Sequence, residues 1–356
     1  MGRRADGGGG GGLRGGHGSA GTGVFSSHLR LVLLLPLLLA MAAVPSSATT
    51  EAQLRAAILS PNPQVLVVNS DITLTSNLPD VVCPDLTIQG KCRRRLCKID
   101  GRNRYSAFSK VRSITVTGME LTRLTSSGAL GGPAPAIAGN PNGGSQIRLA
   151  NVRISDSRNA RGRGVVELRE GRLTAVKTVF SGNSAEFGGA IGISVDALLE
   201  ATDVQFLRNK AAEMGGAISA FQTFVNCTRC VFDRNEAGSI GGAVRIAGVD
   251  GGGAVFFSCK FSANKGTGRG SKGGAVYVDR LDPSIYGAKF CKSTFAGNTA
   301  RNARGSTVTD HVWIGMTEAN DEGTKILFCP RRPRTGITIP DPLYRPDVVD
   351  TCNGCT

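Results

Sequence analysis

Two pairs of residues in the second half of the chain have the chemistry of an acid–base site. His311 directly follows Asp310, and a histidine oriented by a carboxylate can act as a general base. Glu186 and Glu213 each stand two residues before a pair of glycines, so a repeating fold would place them in neighbouring repeats. Two carboxylates about 5 Å apart are the arrangement found in retaining glycosidases. These four residues are the candidate catalytic groups.

Neither pair has the neighbours that a complete active site needs. No serine or cysteine of the sequence stands in the pattern of an activated nucleophile that His311 would deprotonate. The aspartates near the other glycine pairs stand at unequal offsets, so they do not join Glu186 and Glu213 in one acidic cluster. We therefore expect the protein to be non-catalytic and to need no cofactor.

Ten cysteines offer a second kind of chemistry, either disulfide bonds or a zinc site: Cys83, Cys92, Cys97, Cys227, Cys230, Cys259, Cys291, Cys329, Cys352 and Cys355. An even number of cysteines in a secreted chain is typical of disulfides. Two Cys-x-x-Cys pairs have the spacing of zinc ligands, but they are far apart, so we expect no metal. Cys230 and Cys259 should lie one above the other, within disulfide reach. Cys352 should pair with Cys355.

The N-terminal part of the sequence indicates secretion. Leu31 to Val44 is an apolar run that is too short for a membrane span and typical of a signal-peptide core. Small residues at 46–48 allow cleavage before Thr49, whereas a transit peptide is the alternative. We expect an extracellular protein with no transmembrane span in the mature chain. The N-glycosylation sequon at Asn226 aligns with polar positions of other repeats, so it should face solvent and be used.

The chain is strongly basic, with a formal net charge of +15. Positive side chains are concentrated in three segments, at 91–98, 158–163 and 331–334. For an extracellular protein this charge favours an acidic polysaccharide or cell-surface glycan as partner, and we expect no binding to nucleic acid. A solvated surface whose charge only aids solubility is the alternative.

The elements that must position these residues follow from a repeat. Five times, a Phe-x-x-Asn element is followed by Gly-Gly-Ala-Ile or a related sequence, the fifth copy being the decayed Gly305–Val308. A weaker copy begins at Ile154, with Gly164–Val166 in the glycine place. Such a period means that one structural unit stacks on the next. The phenylalanines should form an interior aromatic ladder and the asparagines an amide ladder at a corner. The ladder residues are Phe180, Phe206, Phe232, Phe261 and Phe295, with Asn183, Asn209, Asn235, Asn264 and Asn298.

Short strands are the predicted unit of each repeat. Apolar residues alternate in runs bounded by Gly, Asn and Ser, and no segment after residue 62 has a sustained helical period. The sequence therefore predicts an all-β fold, a right-handed parallel β-helix of about nine or ten coils. Because proline cannot donate to a strand ladder, the Pro- and Cys-rich C-terminal segment should be a cap. The predicted segments are a leader with signal peptide (1–48), an N-terminal helical cap (49–64), the β-helix (65–328) and the C-terminal cap (329–356).

The two motifs together resemble the repeat of chlamydial polymorphic outer-membrane proteins, a branch of the pectin-lyase-like right-handed β-helix proteins. The resemblance covers residues from about 147 to 310, and residues 51–121 more loosely resemble the opening coils of such proteins. That family consists of adhesive surface proteins, so the resemblance implies adhesion or binding to an extracellular matrix or cell wall. We therefore expect a secreted, non-catalytic β-helix protein. The alternative is a carbohydrate-active enzyme of pectin-lyase-like fold, a polysaccharide lyase or glycoside hydrolase acting on acidic polysaccharide.

Overall fold

Short parallel strands stacked in coils make up most of the chain. The computed structural model describes residues 47–126, 134–248, 252–279, 287–315, 325–339, 347–350 and 355. Helix α1, Glu51–Leu59, is the one α-helix among these residues. It begins at Thr50, whose side chain and that of Gln53 form a capping box. Its apolar side, including Leu54 and Ile58, is buried in the same core as the first coils.

Each coil contributes strands to as many as four faces of a parallel β-helix. The first and fourth faces together form one 18-stranded sheet, the second face is a sheet of nine strands and the third face has seven. Among the described residues the second face has nine strands and the first face eleven, close to the nine or ten coils predicted. Strands Val166–Val176 and Ile191–Thr202 run from the fourth face into the first. The other first-face strands are Gln64–Val68, Leu86–Gly90, Ser113–Thr117, Ser145–Ala150, Phe224–Thr228, Gly253–Phe257, Ala288–Cys291, Lys325–Cys329 and Asp347–Asp350.

The remaining strands complete the coils. On the second face they are Ile72–Thr73, Cys97–Asp100, Met119–Thr122, Arg153–Ser155, Val179–Ser181, Gln205–Leu207, Val231–Asp233, Lys260–Ser262 and Thr294–Ala296. On the third face they are Arg158–Arg163, Ser184–Phe187, Lys210–Met214, Glu236–Ala237, Lys265–Gly266, Thr299–Arg301 and Thr307–Thr309. On the fourth face they are Phe108–Val111, Ile137–Gly139, Ile218–Phe221, Val244–Ala247, Val276–Asp279, Val312–Ile314 and Ile337–Thr338.

The phenylalanine ladder lies on the inner side of the second face, as predicted. Its rings stack between neighbouring coils with centroids 4.7–5.2 Å apart and planes within 7° of parallel. The first four rings are completely buried, whereas Phe295 is half-buried at the end of the row. A second stack that the repeat did not predict, Phe256, Phe290 and Phe328, lies on the inner side of the first face. The core is therefore built from registered aromatic rows.

The asparagine ladder occupies the corner between the second and third faces, and all five side chains are buried. The Nδ2 of each of the first four donates to the Oδ1 of the next asparagine at 2.8–3.1 Å, and the Nδ2 of all five donates to a backbone carbonyl in the preceding coil. Ser157 donates its backbone N–H to the first amide. The last amide, Asn298, lies 3.4 Å from Nδ1 of His311. The ladder thus satisfies polar groups that the turn would otherwise leave buried without partners.

Left-handed backbone recurs at this corner. The residue before each ladder asparagine has a positive φ, and Gly182 and Gly297 occupy two of these places. Ala263 occupies an equivalent place with φ 52°. A residue with a Cβ pays about 1–2 kcal/mol for this conformation, and glycine does not.

Replacing Ala263 by glycine should therefore raise the free energy of unfolding by about 0.5–1 kcal/mol, because relief of left-handed strain exceeds the added unfolded-state entropy. Urea unfolding measures the effect. Ala296→Gly is the matched control, since Ala296 is an exposed strand residue without positive φ and glycine there should lower stability. Destabilisation by both changes would contradict the strain argument.

The ladder of strands continues beyond Cys329. Ile337–Thr338 and Asp347–Asp350 each pair in parallel with the preceding coil. The prediction that prolines end the ladder in this segment is wrong, because Pro330 and Pro333 lie between strands and no ladder donor is required there.

The decayed fifth copy of the glycine motif does not lie at the position of the other copies, before a fourth-face strand. Thr307–Thr309 pairs antiparallel with Thr299–Arg301 on the third face, so it is an inserted hairpin. The fourth-face strand of this coil is Val312–Ile314, in register with Val276–Val278. Asp310 and His311 therefore stand at the positions that Gly274 and Ala275 occupy in the preceding coil.

Two disulfides link described cysteines, Cys92 to Cys97 and Cys291 to Cys355. Cys329 is also disulfide-bonded. The predicted bond between Cys352 and Cys355 is wrong, because the chain end returns to the first-face strand that carries Cys291. Four cysteines that the sequence offered as disulfide candidates are instead buried free thiols in the structure: Cys83, Cys227, Cys230 and Cys259.

Candidate ligand-binding groove on the fourth face

The structure does not bring the four catalytic candidates from the sequence together in one place. Glu186 and Glu213 lie on adjacent third-face strands, at an irregularity of the register, and Glu213 is exposed. The carboxylate of Asp310 accepts hydrogen bonds from the Gly273 backbone N–H and the Thr338 hydroxyl rather than from His311.

His311 has a structural role instead. Its imidazole stacks on Phe295, with centroids 5.9 Å apart, and its Nδ1 faces the amide of Asn298. Burial lowers the pKa of His311 and raises the pKa of Asp310. The imidazole therefore lies at the end of both the phenylalanine and the asparagine ladders.

A row of outward-facing side chains on the fourth face has the residue types of a recognition site. In six successive coils, the position directly after the apolar residue of the glycine motif is paired in register with the same position in the next coil. In order, this groove row is Glu167, Gly192, Ser219, Arg245, Tyr277 and Trp313. Five spacings of about 4.8 Å make the row roughly 24 Å long.

Glu167 opens into the first of two cavities along the groove row, with a volume of about 330 Å³. Asp80 and Arg169 also line this cavity. Burial raises the pKa of Glu167 to about 7, and the positive charge of Arg163 opposes this shift. Hydrogen bonds from Lys110, at 2.8 Å, and Ser109 lower the pKa of Asp80. Two carboxyl groups with opposite pKa shifts thus share one cavity, one able to hold a proton and one ionised.

The proton on Glu167 should give stability a distinct pH dependence. A folded-state pKa raised to about 7 contributes stability that is complete below the unfolded pKa near 4.5 and is lost as pH rises through 7. The parent protein should therefore lose about 2–3 kcal/mol of unfolding free energy between pH 4.5 and 8 because of this group, and Glu167→Gln should not show that loss. Urea midpoints at both pH values measure this, with Glu186→Gln as a control for a carboxylate outside the cavity. Parallel pH profiles for Glu167→Gln and the parent would contradict the assignment.

Arg245 lies at the second cavity, of about 210 Å³. Its guanidinium is 5.6 Å from the centroid of the Phe221 ring, and Arg163 also lines the cavity. The Nε of Arg245 is buried and has no hydrogen-bond partner. Burial lowers the pKa of Arg245. A buried donor on a cation without an acceptor is costly unless a ligand supplies one.

The far end of the groove row is aromatic. Tyr277 is nearly buried, and Trp313 follows it in the next coil beneath Lys272, whose Nζ lies 5.2 Å from the indole ring. The indole Nε1 is also buried without a partner. Among the described residues, the two buried side-chain atoms that lack a hydrogen bond are this nitrogen and the Nε of Arg245. Both are donors, and both lie on the groove row.

Sequence reasoning missed the groove row because its members differ in chemistry from coil to coil. The sequence signal that would have identified them is a position at a fixed offset from the glycine motif whose residue type varies from repeat to repeat. The apolar positions on either side of it do not vary in this way. The fourth-face strand Ile137–Gly139 of the preceding coil also borders the Glu167 cavity.

Comparisons with known proteins gave no match to any family model, to any curated protein or to any solved structure. No helix among the described residues has the length and hydropathy to cross a membrane. In the same residues no three His, Cys, Asp or Glu side chains are grouped as metal ligands.

Proposed function

We propose that this protein is a secreted, non-catalytic β-helix that binds acidic polysaccharide along the groove row, in adhesion or at an extracellular matrix or cell wall. The proposal is carried by the coincidence of the two buried donors without acceptors on one linear row of side chains. A linear polymer presents oxygen acceptors at regular intervals, so it matches such a row better than a compact ligand does. The net charge of +15 favours an acidic polymer.

Three further features support this function. Trp313 is partly exposed and offers an aromatic surface, which suits a sugar ring. Cationic side chains border both cavities, at Arg169, Arg163 and Arg245. The repeat motif that resembles adhesive outer-membrane proteins favours adhesion over catalysis, and the sequon at Asn226 is exposed on the first face.

Titration with oligogalacturonates of two to eight units, against neutral β-glucan oligomers of equal length, tests the proposal. We expect binding of the acidic series, rising with length until the groove row is covered and weakening with added salt. Trp313→Phe keeps an aromatic side chain but removes the indole N–H donor, so it should weaken binding about tenfold. Phe224→Ala, an exposed aromatic of the first face, is the control. Equal affinity for acidic and neutral oligomers, or none for either, would refute the proposal.

A second candidate function is cleavage of the same polymer, favoured by Glu167 and Asp80 in one cavity. Glu167 holds its proton near neutral pH and would protonate a glycosidic oxygen, while Asp80 would activate water. Release of new reducing ends from polygalacturonate, abolished by Glu167→Gln, would establish this activity. Binding without release would support the non-catalytic function.

A further inference from the structure

We propose that the cavity between Arg163 and Arg245 binds a single anionic group, a carboxylate or a sulfate, carried on a sugar ring. This inference rests on the proposed binding of acidic polysaccharide and names the group that one part of the groove row recognises.

The lining of the cavity has positive charge and no acid. Its volume is about 210 Å³, and its polar lining groups are Ser219 and the two guanidinium groups. Phe187, Met214 and Phe221 supply an apolar wall. Two like charges beside one partly buried cavity repel each other, so an anion between them would be favoured by both.

The charge of Arg245 lies near one carboxylate, that of Asp279, and near a second cation, Arg163. Burial lowers its pKa, Asp279 and Tyr277 act in the opposite direction, and Arg163 lowers it further. Asp279 follows the groove row on the next coil but does not reach Nε, which has no acceptor. The side chain is held against Phe221, so the donor is fixed in place for an incoming oxygen.

Arginines that join adjacent coils of this fold form ion pairs with carboxylates. Several pair with a carboxylate of an adjacent coil at 2.6–3.1 Å, as in the pairs Arg95–Asp71, Arg172–Glu200 and Arg229–Asp203. Arg245 lies deeper than these residues and yet has a donor left without a partner. A guanidinium that served only to join coils would be expected to follow the same pattern as the others.

Gly192 makes room for the second guanidinium. A Cβ at this position of the groove row would lie 2.6 Å from the Cβ of Arg163. The glycine therefore leaves room for Arg163, whose charge acts on both Glu167 and Arg245. Arg163 is exposed, so it can move toward a ligand without a large desolvation cost.

Calorimetric titration with glucuronate, glucose 6-sulfate, glucose and inorganic sulfate tests the inference. We expect an anionic sugar to bind, glucose to bind much more weakly, and both Arg245→Gln and Arg163→Gln to weaken binding about tenfold. Arg148→Gln, which removes one exposed charge of the first face, should have no effect. Because Arg163 is exposed, its variant is expected to fold even if Arg245→Gln does not.

The outcomes separate the possible ligands. Preference for glucuronate identifies a carboxylate site, and preference for glucose 6-sulfate a sulfate site. Equal binding of inorganic sulfate, or of glucose, would overturn the inference. If oligogalacturonates bind and neither arginine variant weakens them, the inference fails while the proposed function stands. If anionic monosaccharides bind through these arginines and the oligomers do not, the site stands and the proposed function fails.

Discussion

Replacing Asn235 by alanine should lower the free energy of unfolding by about 4–6 kcal/mol, the largest effect expected from a single change in this protein. The Oδ1 of Asn235 accepts from both the backbone N–H and the Nδ2 of Asn209, at 3.0 and 3.1 Å. Its Nδ2 donates to the carbonyl of Phe206 at 2.9 Å and to Oδ1 of Asn264 at 3.0 Å. Alanine removes all four bonds and leaves their partners buried.

The expected loss of stability in Asn235→Ala comes mainly from the buried polar groups that are left without a hydrogen-bond partner, and not from the lost bonds alone. Each buried polar group without a partner costs about 1–3 kcal/mol, and the alanine side chain has no polar atom to replace the lost partner. Urea unfolding of Asn235→Ala measures the loss. Asn62→Ala, at an exposed position, should change stability by less than about 0.5 kcal/mol. A loss below about 1 kcal/mol for Asn235→Ala would show that water replaces the amide at this corner.

Phe232→Ala should destabilise the protein by about 3–5 kcal/mol, since it creates a cavity in the middle of the aromatic ladder. The ring is completely buried between Phe206 and Phe261, with centroids at 4.8 and 4.7 Å, and Phe256 packs edge-on at 6.1 Å. Neighbours that are themselves fixed in a registered row cannot collapse into the space.

Two controls separate cavity formation from loss of an aromatic side chain. Phe295→Ala should cost less than Phe232→Ala, because Phe295 is half-buried at the end of the ladder. Phe224→Ala, on the outer side of the first face, should cost less than about 1 kcal/mol. Equal losses for Phe232→Ala and Phe224→Ala would contradict an interior ladder.

The sequence predicted the fold because ladder residues must be the same in every coil. Phe206 and Phe232 are in register, and so are Asn209 and Asn235, so the chemistry of packing appears as a repeat. The end of the stack was predicted less well. There Asp310 replaces a glycine, and a hairpin interrupts the period, so the repeat no longer marks which strand is which.

The groove row was not predictable in the same way. Side chains that face a ligand need not match from coil to coil, so Glu167 and Arg245 share no motif. The properties that distinguish them, a pKa of about 7 and a donor without an acceptor, arise from packing against residues distant in sequence. Conversely, Asp310 and His311 were candidate catalytic residues because they are adjacent in the sequence. In the structure the two side chains have different hydrogen-bond partners, which adjacency in the sequence does not reveal.

The amide ladder is also polar in direction. Every side-chain bond points the same way, from Asn183 toward Asn298, so the bonds polarise one another along the stack. The chain of dipoles finishes at His311, whose Nδ1 can accept only while it carries no proton. With its folded pKa lowered, His311 contributes stability that is lost as pH falls below the unfolded value near 6.5. Acidification should therefore loosen the solenoid first at the coil of His311, where the amide ladder ends, while the asparagine bonds of the preceding coils stay intact.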